Sequence, residues 1–90
     1  MIIVNQNKDE FVNFENIMCV NITDCQEDGF LISAGFIVGR DDNYRELGYY
    51  KTEERAKEIL KQIIGKYQQY FENRNREIVM IPKVYEMPKE

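Results

Sequence analysis

The sequence predicts an α+β fold: an antiparallel sheet of about five strands packed against one long amphipathic helix, with a final short strand after the helix. Three observations predict it. From Thr52 to about Phe71, the residues Ala56, Ile59, Leu60, Ile63, Ile64, Tyr67, Tyr70 and Phe71 fall on one stripe at about 100° per residue. Before that stripe, apolar and polar residues alternate with the period of two that marks half-buried strands. No second helix is present to receive the stripe, so it must bury against the sheet.

Each element has its own signal. Met1 to Val4 is a short strand, followed by the polar turn Asn5-Gln6-Asn7-Lys8-Asp9, whose side chains bond their own backbone. Phe11 to Phe14 reads either as a second short strand or as one turn that docks its two Phe rings on the core. Ile17 to Thr23 alternates, with Met18, Val20 and Ile22 on one face and Cys19, Asn21 and Thr23 on the other. Asp24 to Gly29 is an acidic loop ending in an Asp-Gly hairpin signal. Phe30 to Val38 is apolar on both faces, the pattern of a central strand or of one that lies against a partner. Its second face carries Leu31 and Ile37, which are therefore expected to be covered by a second subunit or by the N-terminal segment. Gly39 to Asn43 is the next hairpin loop, and Tyr44 to Lys51 the next strand, with Leu47 and Tyr49 on one face and Tyr44, Gly48 and Tyr50 on the other. Thr52 is suited to cap the helix, with Glu53 and Glu54 on its positive end. Asn73 to Arg76 is a basic loop, Ile78 to Ile81 the last strand, and Pro82 demotes Lys83 to Glu90 to an edge or a tail.

Ninety residues make a single domain with a small core. No stretch reaches the ~20 apolar residues of a bilayer span. The first residues carry no basic leader, so a cytoplasmic protein with two free thiols is expected. In that reading Cys19 is a small core residue and Cys25 is partly exposed. The chain contains no His, which removes the usual general base and the commonest transition-metal ligand. No phosphate-gripping Gly loop, nucleophile elbow or Cys–His pair appears. Neither an enzyme nor a metal or other cofactor is expected.

The net charge of −4 is unevenly spread. Residues 1–46 hold three basic and nine acidic side chains, and residues 47–90 hold nine and seven. A duplex-binding surface would be far more basic. Glu27, Asp28, Asp41 and Asp42 sit on two hairpin tips that are expected at one end of the sheet. They form either an acidic docking face or ordinary solvated turns. Arg55, Lys57, Lys61, Lys66, Arg74 and Arg76 line the helix and its exit, either as a wet helix face or as phosphate donors. Tyr44, Tyr49, Tyr50, Tyr67, Tyr70 and Tyr85 suit either interfaces or the margin of a small core.

Three blocks carry a resemblance. They are Met-Ile-Ile-Val-Asn-Gln-Asn-Lys-Asp (1–9) with Asn13-Phe14-Glu15-Asn16, then Leu47-Gly48-Tyr49-Tyr50-Lys51-Thr52-Glu53-Glu54-Arg55-Ala56-Lys57-Glu58-Ile59-Leu60, and Val84-Tyr85-Glu86-Met87-Pro88-Lys89-Glu90. Together they resemble a family of short phage and prophage proteins of Clostridium-like Firmicutes. The resemblance covers about half the chain and brings no catalytic or binding residues with it. It implies a small accessory protein made in the host cytoplasm, of a kind that often acts against host defences. The leading expectation is a homo-oligomer that sequesters an anionic nucleotide signal. Arg55, Arg74 and Arg76 would hold phosphate, and Tyr49 or Tyr50 would stack on the base. The alternatives are an inhibitor that docks its acidic face on a host nucleic-acid-handling effector, and a structural or regulatory interaction module.

Overall fold

The computed structural model describes residues 1–38, 41–74 and 84–90, with the side chains of all of these except 37, 38, 41, 42 and 70–74. The elements run β1 (Ile2–Val4), β2 (Phe11–Asn13), β3 (Cys19–Asp24), β4 (Phe30–Val38), β5 (Asp41–Tyr50), α1 (Glu53–Arg74) and β6 (Val84–Glu86). Short 3-10 turns at Phe14–Asn16 and Gln26–Asp28 follow β2 and β3. The α+β class is as expected, but the strands form two three-stranded sheets rather than one of about five. One is the antiparallel meander β3-β4-β5; the other has the order β2-β1-β6.

Local chemistry explains the division. The turn after β1 folds β2 straight back onto it: Asn5 N–H donates to Glu10 O, and Asn5 Oδ1 accepts from the Asp9 and Glu10 amides. Lys8 takes the left-handed conformation there, with φ at 61°. Asn13 then caps the first 3-10 turn by accepting from Glu15 N–H. That turn ends the ladder before β3 begins. Phe14, half-buried, sets its ring 4.5 Å from that of Tyr67 on α1, whereas Phe11 stays 66% exposed. Only one of the two Phe rings docks.

Of the two readings of Lys83 to Glu90, edge or tail, the structure takes the edge: the segment supplies β6, an outer strand of the small sheet. Val84–Glu86 is a strand, parallel to β1, with Ile3 opposite Tyr85. Met87 N–H donates to Val4 O and continues the pairing. Tyr85 and Met87 are buried while Val84 and Glu86 face outward. The strand expected at Ile78 to Ile81 lies outside the described residues.

Both sheets feed one core. Met1, Ile3, Val12, Tyr85 and Met87 from the small sheet cluster with Ile32, Ala34, Leu47 and Tyr50 from the meander and with Ala56, Ile59 and Ile63 from α1. Thr52 Oγ1 accepts from Arg55 N–H and starts the helix as expected. Leu60 and Tyr67 are half-buried, but Ile64 is 51% exposed, because the stripe is narrower than the eight apolar positions imply.

A bulge in β5 alters which tyrosines share a face. Ile32 pairs with Gly48 and Ser33 with Glu46, so Leu47 is the extra residue. Downstream of it the phase of the strand shifts. Tyr44 pairs with Gly35 and Tyr49 with Leu31 on the outer face, while Tyr50 pairs with Phe30 on the core side. Tyr44 and Tyr50 are thus on opposite faces, not the same one. Cys19 is also corrected: it lies exposed on the outer face, where a Cβ on Gly35 would sit 2.8 Å from its Sγ.

Candidate functional site

Where β5 hands over to α1, three stretches of chain meet. Strand alternation turns Tyr50 inward and Tyr49 outward. Gln6 arrives from the first turn and behaves like a short neighbouring strand. Its N–H donates to Leu47 O at 2.7 Å, its Oε1 accepts from Tyr49 N–H at 2.8 Å, and its Nε2 donates to Tyr49 O at 2.9 Å. The same Nε2 donates to Lys89 O at 2.7 Å, which fastens the C-terminal segment beside β5. Tyr50 Oη donates to Pro88 O at 2.6 Å, and Arg55 Nε to the Glu90 backbone oxygen at 3.0 Å.

These contacts enclose a pocket of about 230 Å³ lined by Tyr49, Tyr50, Lys51, Thr52, Arg55, Lys89 and Glu90. Three cationic residues and one acidic residue are among those that line it, at the positive end of α1. Arg55 is already engaged through Nη1 with Glu58 at 3.0 Å, so its fork is held in place. The Tyr49 ring is 39% exposed, and its hydroxyl donates to Glu46 Oε1 at 3.1 Å. That bond to a carboxylate holds the Tyr49 phenol above its ordinary pKa. Burial pushes Tyr50 up to about 12, and raises Tyr85, whose hydroxyl donates to Gln62. All three phenols are therefore protonated at neutral pH and serve as donors rather than bases. The arrangement can hold an anion and rest a flat group on Tyr49.

The structure brings together three of the residues singled out from sequence, Tyr49, Tyr50 and Arg55. Tyr50 lines the same pocket, but at 3% exposure its ring is core and cannot serve as a stacking platform. Arg74 is the last residue of α1, and 19 steps of about 1.5 Å put it roughly 28 Å from Arg55 along the helix. Within one copy the two cannot grip one phosphate. Arg76 lies outside the described residues. Leu31 is half-buried with Thr23 and Tyr49 beside it in the sheet. Ile37 occupies β4, and its side chain is outside the described set.

The acidic groups do not share one end of the sheet. Glu27 and Asp28 follow β3, next to the row Asp24, Phe30 and Tyr50. Asp41 and Asp42 belong to β5 itself, opposite Val38 and Ile37 at the far end. Successive turns of an antiparallel meander must fall on opposite ends, and that geometry splits the charge.

Lys51, Lys89 and Gln6 were not foreseen as part of a site. Lys89 had a readable signal: the alternation of Val84, Tyr85, Glu86 and Met87 after Pro82 is strand-like and brings the end of the chain back. Gln6 had none, because a turn residue that completes another strand's bonding is visible only in three dimensions. Among the described residues no group of three acidic or Cys side chains is placed to hold a metal ion, and no helix is long and apolar enough to cross a membrane. No protein-family profile, curated protein or solved structure matches the chain.

Proposed function

We propose that this chain is a non-enzymatic binding protein that sequesters a small anionic nucleotide, with phosphate held by Lys51, Arg55 and Lys89 and a ring resting on Tyr49. The observation that carries the reading is that these four residues line one pocket. At about 230 Å³ the pocket is below the ~300 Å³ at which ligand pockets begin. One copy would therefore enclose only the phosphate end of a nucleotide, and a homo-oligomer would cover the rest. The resemblance to phage and prophage proteins supports a counter-defence setting, in which capture of a host signal needs no catalysis. An inhibitor acting through one acidic face is less well supported, since its four carboxylates sit at two ends of a sheet.

The test is a thermal-shift and calorimetric titration with linear and cyclic nucleotides and with inorganic phosphate. Lys51→Glu combined with Lys89→Glu should abolish binding and leave the fold intact, because both side chains are exposed. Glu27→Lys with Asp28→Lys should leave it nearly unchanged. Binding that survives the lysine changes but is lost in Arg74→Glu with Arg76→Glu would move the site to the other end of α1. No response to any nucleotide would remove the reading.

A further inference from the structure

We propose that a second copy of this chain pairs with β3 edge to edge, antiparallel about Asn21, so that two three-stranded meanders become one six-stranded sheet. The proposal stands independently of the anion pocket. Edge strands expose a row of backbone donors and acceptors, and proteins that stay monomeric blunt them with charge, proline, bulges or short length. Among the described residues, three of the four sheet edges are blunted. β2 and β6 have three residues each. β5 is bulged at Leu47, bonded at Leu47 and Tyr49 by Gln6, and carries Asp41, Asp42, Arg45 and Glu46.

β3 has none of these protections except the single charge of Asp24 at its end. It runs in unbroken register against β4, and Cys19 to Thr23 contains no charged residue and no proline. Among the described residues no backbone bond reaches its outer edge.

The strand is also complementary to itself. With a two-fold axis at Asn21, Val20 falls opposite the partner's Ile22 and Cys19 opposite the partner's Thr23. The half-buried Val20 and Ile22 of each copy would then extend one apolar face across the junction. Asn21 meets its own copy, where an amide both donates and accepts. Asp24, the one charge on the strand, is carried to opposite ends of the pair, so no like charges meet. An unrelated acidic or basic peptide would find no counter-charge along this edge. A second copy satisfies the alternation, the amide and the charge at once.

Light scattering on the full chain across a concentration series should give twice the 10.8 kDa chain mass. Asn21→Lys, an exposed change that sets two ammonium groups on the axis, should return the mass to one chain with the circular dichroism spectrum unaltered. Register is tested in a Cys19→Ser, Cys25→Ser background. There Asn21→Cys should form an intermolecular disulfide at least about tenfold faster than Thr23→Cys, because the axial pair lies within about 5.5 Å and the other pair about 13 Å apart. A wild-type protein that stays single-chain at the highest concentration overturns the proposal. So does a dimer that survives Asn21→Lys, or one in which position 21 cross-links no faster than position 23.

Discussion

The two sheets reach the same core by opposite routes. In the meander every strand pairs with its neighbour in sequence, and the turns between them are short. In the small sheet, β1 bonds on one side to β2 a few residues on and on the other to β6 at the far end of the chain. Closing the second contact costs the loop entropy of nearly the whole chain, whereas each meander contact costs that of a few residues. The difference teaches where the pocket's stability resides. Tyr49, Lys51 and Thr52 are near one another in sequence, but Lys89 and Glu90 are brought in by the docking of β6 and held by Gln6, Tyr50 and Arg55. The pocket is therefore expected to close last in folding and to open first.

The largest effects should come from truncating side chains that serve both sheets through the shared core. Ile59 and Ile3 are fully buried, one on α1 and one on β1. Ile59→Ala and Ile3→Ala should each cost about 2–5 kcal/mol in urea unfolding. With one continuous core, both variants should unfold in one transition by circular dichroism and by tyrosine fluorescence alike. If Ile3→Ala instead splits the two signals, the small sheet is a separate cooperative unit and the contrast between the sheets sharpens. If Ile3→Ala costs less than about half a kcal/mol, the small sheet adds nothing and the contrast breaks.

The same division marks how far the sequence could be read. Phe30 to Val38, the cap at Thr52 and most of the helix stripe were legible because their signals are local: alternation, a hydroxyl at N-cap, a 3.6-residue period. Ile64 and the phase of Tyr44 misled, the first because stripe width depends on what receives it, the second because one extra residue, Leu47, inverts alternation. The parallel pairing of β6 with β1 leaves no local mark beyond Tyr85 and Met87 alternating with exposed neighbours. Of the site, Tyr49 and Arg55 were legible from residue type. Their convergence with Lys89 was not, since it follows from a contact between the two ends of the chain.

A smaller effect should come from the bond that ties the two regions at the pocket. Tyr50→Phe keeps the ring and removes only the donor to Pro88 O, so it should cost about 0.5–1.5 kcal/mol. It should also weaken the seating of Lys89, read as lost nucleotide affinity. The phenol has a pH signature as well. Its folded pKa of about 12 exceeds the unfolded value of 10.0, so above pH 10 the unfolded chain releases this proton first. Wild-type stability attributable to Tyr50 is thus complete below pH 10 and declines as the pH rises toward 12. In Tyr50→Phe that part of the alkaline decline in Tm should vanish, while the contributions of the other raised phenols, Tyr49 and Tyr85, remain. An unchanged alkaline profile would mean that the Tyr50 phenol is not buried in solution.

The smallest change should stabilise, and it serves as the control for the other two. Gly65 lies within α1, and a Cβ built there would meet nothing within 4 Å. Its φ lies outside the left-handed region, so alanine fits without strain. Gly65→Ala should therefore gain about 0.5–1 kcal/mol, by reducing the freedom of the unfolded chain and by raising helix propensity. The added methyl meets no other residue, whereas α1 itself packs on all three meander strands and is joined to β6 by the Tyr85–Gln62 bond. Urea unfolding should show a higher midpoint with an unchanged slope, while nucleotide affinity stays at the wild-type value. Were affinity to rise with stability, the pocket would be limited by the helix rather than by the docking of β6, and the order of events assigned to the two regions would have to be reversed.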